Sequence, residues 1–169
     1  SNGFPFAAII GCEEVMNAAD ASFISSSYWT DGVGTAAALA VLKKMQDLNV
    51  QQVVWEKGIK FQNALKELAD RHPSCAIEIG GMPSTPVLTF QLAENAPAAK
   101  TLYIRKMLEK GFLVSSIFYL MYAHEEKHIA LLLEALDDVL AGMEKSITNG
   151  TLGQESGSYT AGAGFSRLA

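Results

Sequence analysis

Apolar residues recur at helical spacing through the longest patterned stretch of the chain, residues 35–72. Positions such as Phe61 and Leu65 stand four apart and share one face of a helix. The pattern predicts two helices with a bend near Asn49, or one long kinked helix. Pro73 ends the stretch, since proline cannot continue a helix.

Three further stretches have the helical period. Residues 125–145 give the clearest pattern, residues 97–110 give a shorter amphipathic helix followed by Gly111, and residues 13–19 give a short helix. The apolar stripe of the first of these consists of Ile129, Leu132, Leu133, Leu136, Val139, Leu140 and Met143.

Short apolar runs predict the strands. Residues 6–11 are typical of a buried strand, and residues 75–81 and 85–92 of a strand pair. Residues 112–114 and 117–119 predict two more short strands. The order of elements favours an α+β fold, in which a small antiparallel sheet carries helices on one side.

Composition narrows the function classes. A chain of 169 residues fits one domain, or one domain plus a piece of another. The net charge of −5 argues against binding to nucleic acid or to an anionic membrane, because no basic face can dominate. No apolar run approaches the roughly 20 residues of a membrane span. Cys12 and Cys75 lie far apart, which indicates buried free thiols in a reducing compartment such as the cytoplasm.

The candidate chemistry lies in residues 25–30, which read SSSYWT, ahead of a run of small residues at 35–40. Hydroxyls and free backbone N–H groups before a helix can hold a phosphate, whose charge the helix N-terminus favours. The alternative is an ordinary serine-rich loop with a helix cap.

Three segments, taken together, resemble one known family. They are residues 1–11, residues 26–42 with their Ala-Ala-Ala-Leu-Ala run, and residues 111–136 with an Ala123-His124 turn. In this order they are similar to the C-terminal third of a class III pyridoxal-phosphate aminotransferase, in the branch of glutamate-1-semialdehyde aminomutase. Residues 165–168, which read FSRL, resemble the ending of that branch.

The resemblance implies a domain organisation. Residues 1–48 correspond to the end of a fold-type I large domain that binds the cofactor. A long helix joins it to a small domain, residues 49–148, made of antiparallel strands covered by helices. Residues 149–169 form a Gly- and Ser-rich tail.

The resemblance also implies a cofactor site. Ser27 stands at the position of the family's phosphate-binding threonine and Ser26 at that of its glycine. In the family this loop binds the cofactor phosphate of the neighbouring subunit, so the resemblance implies a homodimer with pyridoxal 5′-phosphate. The family's Schiff-base lysine corresponds to a position just before Ser1. We therefore expect the chain alone to lack the nucleophile and to bind no cofactor.

The other polar residues have structural interpretations. The ten lysines stand in charged, helical contexts and are interpreted as solvated. His72, His124 and His128 form no ligand set, and His124 is expected to fix the small domain through hydrogen bonds.

The substrate is where the sequence departs from the resemblance. Aminomutases carry a carboxylate between the strand that corresponds to the one after Gly111 and the Ala-His turn. Here residues 116–122 read SIFYLMY and contain no carboxylate. These residues form either a core patch or a wall of the substrate cleft. The parent protein is therefore expected to move an amino group between an amino acid and another aldehyde or keto compound.

The alternative is a non-catalytic α+β interaction module. Its partner surfaces would be the helix at 125–145 and the loop at Tyr28 and Trp29. Under the aminotransferase reading, Phe4 and Phe6 join these two aromatic residues in a dimer interface, and self-association is expected.

Overall fold

The structure is a computed structural model that describes residues 3–24, 27–28 and 30–157. The chain divides into two compact units, Ser1–Val50 and Gln51–Ala169. Among the helices of the described residues, none combines the length and the apolar character needed to cross a membrane.

The first unit contains two helices, α1 (Glu13–Asn17) and α2 (Gly32–Asp47), with a 3-10 turn at Ala18–Ala21. Pro5 and Phe6, in the irregular segment of residues 3–10, lie against Gly34 of α2. A Cβ atom on Gly34 would lie 2.3 Å from the carbonyl oxygen of Pro5, so only glycine permits this approach.

The strand predicted at residues 6–11 is wrong. These residues are exposed and pair with no strand among the described residues. An apolar run indicates burial but supplies no partner, and here its neighbour is the helix α2.

The predicted bend near Asn49 is confirmed. Asn49 has a left-handed backbone with φ of 46°, a conformation that asparagine tolerates better than most residues. It ends the run of α2, and α3 (Val50–Arg71) begins directly after it. Pro73 opens a 3-10 turn, so α3 stops where the sequence indicates.

The second unit packs helices on a two-stranded antiparallel sheet. Strands β1 (Ile77–Met82) and β2 (Thr85–Phe90) pair with Ile77 opposite Phe90 and Met82 opposite Thr85. The helices that follow are α4 (Ala96–Glu109), α5 (Glu126–Thr148) and α6 (Leu152–Ser156).

Residues 112–114 form no strand, contrary to prediction. Gly111, at φ of 87°, and Phe112 close α4: their N–H groups donate to the carbonyls of Leu108 and Met107, both at 2.9 Å. In this Schellman pattern the N–H of Phe112 ends the helix and is not available for pairing with a strand.

Residues 116–120 come closer to the prediction of a strand at 117–119. They run antiparallel to β2: Leu88 N–H donates to Ser116 O at 2.8 Å, and Phe118 N–H donates to Pro86 O at 2.9 Å. One bridge joins Val87 and Ile117.

The core of the second unit lies between α3, α4, α5 and β2. The C-terminal half of the stripe predicted on the 125–145 helix is buried, and α3 and α4 supply the facing side chains. The fully buried large residues of these helices include Phe61, Leu65, Leu68, Leu102, Tyr103, Met107, Leu136, Leu140 and Met143.

Three expectations from sequence need correction or restriction. Cys75 is buried as predicted, and burial raises the pKa of its thiol to about 12, but Cys12 is exposed. Residues 149–169 are a Gly- and Ser-rich tail in the sequence, yet α6 forms within them and buries Leu152. Residues 165–168 lie outside the described part of the chain.

Candidate functional site

The predicted phosphate loop is described only in part. Ser26 and Trp29 lie outside the described residues. Ser27 is exposed in a turn in which Asp31 N–H donates to Tyr28 O at 3.2 Å. Tyr28 is 57 % exposed, and Phe4 and Phe6 are also largely exposed, as the prediction of an interface requires.

The helix entrance beside this loop already has an anionic cap. Helix α2 begins at Gly32, three residues before the small-residue run, and Asp31 is its N-cap. The Asp31 carboxylate accepts a hydrogen bond from Val33 N–H at 2.9 Å. This carboxylate occupies the position at the helix N-terminus where a phosphate would be stabilised by the free N–H groups and the helix dipole. The N-terminus of α2 is therefore not a free anion site.

Among the described residues of this loop, the exposed Ser27 side chain can contribute a donor to a cofactor phosphate. Its hydroxyl can donate to a phosphate oxygen, and its exposure lets it reach a group outside its own chain. The residues present fit this limited role, in which a side-chain hydroxyl replaces the helix terminus as the donor.

Lys57 corrects the interpretation of the lysines as solvated. It is half-buried in α3, and its ammonium donates to Tyr122 O at 2.9 Å and to His124 O at 2.6 Å. The same Nζ lies 5.5 Å from the centre of the Tyr122 ring. Lys57 thus ties α3 to the loop before α5, and both its acceptors are backbone carbonyls.

The loop at 116–122 lines a cavity of about 560 Å³ in the second unit. Its walls are mainly apolar side chains of residues 112–114 and 117–120 and of α3 and α5, with Ser115 among them. The rings of Phe61 and Phe118 meet edge to face, with their centres 5.2 Å apart. Two imidazoles, of His124 and His128, complete the wall. The cavity has the volume of a small-molecule site, which is consistent with the interpretation of this loop as a wall of the substrate cleft.

Both imidazoles are oriented by backbone donors. Met121 N–H donates to His124 Nδ1 at 3.3 Å, and Glu125 N–H donates to His128 Nδ1 at 3.1 Å. The His124 bond supports the structural role expected for this residue. Burial lowers the pKa of His124, and the nearby His128 and Lys57 lower it further, so the ring is neutral at pH 7.

His72 lies apart from this cavity, between the end of α3 and the middle of α5. Its Nε2 is 2.7 Å from Asp137 Oδ1 and its Nδ1 is 3.1 Å from Glu144 Oε2. Burial lowers the pKa of His72, but the bonds to the two carboxylates outweigh it and the net pKa is raised. His72 is a charged clamp between two helices.

The role of Asp31, the His72 clamp and the position of His124 and His128 at the cavity were not predicted from the sequence. An aspartate directly before a helix is a recognised N-cap signal, so Asp31 could have been found. The partners of His72 stand 65 and 72 residues away, and no local pattern indicates them. Among the described residues, no group of three or more His, Cys, Asp and Glu side chains could hold a metal ion.

No protein-family model matches the chain. Comparison with curated proteins does find relatives. The chain is 26 % identical over 152 residues to a 3-aminobutyryl-CoA aminotransferase of Cloacimonas acidaminovorans (strain Evry), covering 87 % of this chain and 36 % of that protein. It is 28 % identical over 122 residues to the 4-aminobutyrate aminotransferase GabT of Escherichia coli (strain K12), covering 69 % and 28 %.

A third relative is an acetylornithine aminotransferase of Methanocaldococcus jannaschii, 27 % identical over 150 residues, covering 85 % of this chain and 36 % of that protein. The curated relatives of this chain are aminotransferases. The chain spans about a third of the length of these relatives.

A solved structure shares the fold of this chain. It is the pyridoxal-phosphate internal aldimine form of the FumI protein of Sphingopyxis sp. MTA144, which matches with a TM-score of 0.72 at 20 % identity. The match covers 82 % of this chain and 34 % of that one. The α+β fold predicted from sequence, as the C-terminal portion of a fold-type I enzyme, is thereby confirmed.

Proposed function

We propose that this chain is the C-terminal part of a pyridoxal-phosphate-dependent aminotransferase of class III, in the branch that resembles glutamate-1-semialdehyde aminomutase. The observation that carries the proposal is the similarity to aminotransferases over 85–87 % of the chain at about a third of their length. Residues 1–48 then belong to the large domain, and residues 49–148 to the small domain.

In this proposal Ser26 and Ser27 hold the phosphate of the cofactor bound mainly by the other subunit of a homodimer. Pyridoxal phosphate, when bound, supplies the electron sink for amino-group transfer. The exposed hydroxyl of Ser27 supports this role, and so does the group of exposed aromatic residues in the first unit, Phe4, Phe6 and Tyr28. The Schiff-base lysine lies outside these residues.

The substrates are an amino acid donor and an aldehyde or keto acceptor. Residues 116–122 carry no carboxylate, so we propose an acceptor other than glutamate-1-semialdehyde. The buried free thiol of Cys75 supports a cytoplasmic location, since such thiols persist in reducing compartments.

Replacing Ser27 tests the phosphate role. In the protein made from the complete reading frame that contains this sequence, Ser27→Ala should weaken pyridoxal-phosphate binding about ten- to hundredfold. The reason is that a hydrogen bond to a charged group contributes about 1.5–3 kcal/mol. Absorbance titration of the apoprotein with the cofactor measures the dissociation constant.

Two matched variants sharpen the result. Ser27→Thr keeps the donor and should bind as the unaltered protein does, and Ser22→Ala removes an exposed hydroxyl elsewhere in the same unit without effect. Affinity should also fall on dilution below the dimer dissociation constant. Unchanged affinity of Ser27→Ala would remove this serine from the site, and a complete protein that binds no cofactor would favour the non-catalytic module.

A further inference from the structure

The cavity of the second unit carries two oriented hydrogen-bond donors that the proposed function does not use. His124 and His128 stand four residues apart across the start of α5, and both line the cavity. Each accepts a backbone N–H at Nδ1, from Met121 and Glu125 respectively.

These bonds fix the tautomer of both rings. A neutral imidazole that accepts at Nδ1 must carry its proton on Nε2, so both residues offer Nε2–H as a donor. No hydrogen-bond partner of either Nε2 is found among the described residues. Both rings belong to residues that line a mainly apolar cavity, and each has an Nε2–H donor to offer.

The same tautomer argues against a metal ion. A histidine that binds a metal through Nε2 donates its Nδ1–H to an acceptor such as a carbonyl or a carboxylate. Here both Nδ1 atoms face donors instead. The cavity thus suits a hydrogen-bond acceptor and not a cation.

The charges around the cavity favour an anionic acceptor. Among the described residues that line it, none is Asp or Glu. Lys57 of α3 lies close enough to His124 to lower its pKa, and its ammonium sits on the carbonyl of that residue. Glu125, at the start of α5, pairs with Lys127 at 2.8 Å. A carboxylate head would thus find two N–H donors and a nearby positive charge.

The rest of the cavity suits an apolar body. Phe61, Ile129 and Leu132 line it together with residues 112–115 and 117–120, and its volume of about 560 Å³ holds a small molecule. We propose that this cavity binds a small organic carboxylate, with the carboxylate on His124 and His128 and an apolar body among these side chains. The inference uses only residues 51–157 and holds or fails independently of amino transfer.

The test compares octanoate with octan-1-ol, which has the same apolar body and no charge. Calorimetric titration of the 169-residue chain should give octanoate a dissociation constant at least about tenfold lower, because hydrogen bonds to a charged group are the strong ones. The double variant His124→Asn with His128→Asn keeps an acceptor near each Nδ1 and removes both Nε2–H donors. The affinity of this variant for octanoate should be at least about tenfold lower, and its affinity for octan-1-ol should be unchanged.

Two controls complete the design. Lys145→Gln removes an exposed charge near the far end of α5 that does not line the cavity and should leave octanoate binding unchanged. Imidazole ¹⁵N chemical shifts of the unaltered chain test the tautomer without any substitution, and both Nε2 atoms should carry the proton.

The proposal would be overturned if octanoate did not bind, or if it bound no better than octan-1-ol. It would also be overturned if octanoate bound the Asn variant as tightly as the unaltered chain. Zinc binding at the two histidines, or protons found on Nδ1, would overturn it as well.

Discussion

His72 is a single imidazole held between two carboxylates of α5. Both ring nitrogens lie within hydrogen-bond distance of a carboxylate oxygen, so both donate and the ring carries a positive charge. Glu144 also accepts from Ser74 N–H at 3.1 Å, and Arg71 pairs with Asp137 at 3.1 Å. The hydrogen bond from His72 is the main reason why the pKa of Glu144 is lowered.

This clamp makes stability depend on pH in a defined direction. The folded-state pKa of His72 lies above the unfolded value of 6.5, so its stabilisation is complete below pH 6.5 and is lost as the pH rises through the folded pKa. His72→Gln should lower the free energy of unfolding by about 2 kcal/mol at pH 6 and by less at pH 9. Urea unfolding of both proteins from pH 6 to pH 9 measures the difference, and a difference that stays constant over this range would contradict a charged clamp.

Individual residues also show the limit of prediction from sequence. Ser27 could be selected because a serine loop before a helix suggests an anion site. Asp31 changes that interpretation, since its carboxylate takes the helix terminus. His72 had no signal at all, because the contacts that give it a charge come from residues far along the chain.

At the scale of elements, α3 approaches the β1–β2 turn at Gly58. A Cβ atom there would lie 1.9 Å from the carbonyl oxygen of Pro83. Gln62, one turn later, donates to the carbonyls of Gly80 and Gly81 at 3.1 and 3.0 Å. The helix and the hairpin thus pack backbone against backbone, and only glycine fits at the contact.

Alanine at Gly58 should therefore destabilise the protein although alanine favours helices. Overpacking costs about 1–3 kcal/mol, which exceeds the gain in helix propensity of about 1 kcal/mol. Gly142→Ala in α5 is the matched control: a Cβ there meets no atom within 4 Å, so the free energy of unfolding should rise by about 0.5–1 kcal/mol. Urea unfolding of both variants measures the change, and the same sign for both would refute the close approach.

The elements predicted correctly from the sequence are those with a long helical periodicity of apolar residues. Helices α3 and α5 carry long amphipathic patterns, and both form with the C-terminal part of the predicted face buried. The short apolar runs at 6–11 and 112–114 failed, because a run of a few residues does not say whether a strand, a helix surface or a helix end will cover it. The short helix α6 follows a Gly-rich composition that favours loops.

The molecule as a whole has a confirmed fold and a proposed activity. The fold of the FumI protein covers 82 % of this chain, and the curated relatives are aminotransferases. The order of three weak motifs was enough to predict this relationship from sequence, although no single motif was diagnostic. The amino donor and acceptor of the proposed activity could not be predicted, because they depend on side chains facing a cleft.

The proposal that this chain belongs to an aminotransferase is tested most directly by measuring the transfer of an amino group to the cofactor. The protein from the complete reading frame that contains this sequence is incubated with pyridoxal phosphate and a panel of ¹⁵N-labelled amino acids, among them glutamate and 4-aminobutyrate. Mass spectrometry then detects pyridoxamine phosphate. The 169-residue chain alone is the control and should form none, because the resemblance puts the reacting lysine outside these residues. We predict ¹⁵N-labelled pyridoxamine phosphate with at least one donor; a complete protein that binds no pyridoxal phosphate and forms no labelled product with any donor would contradict the account.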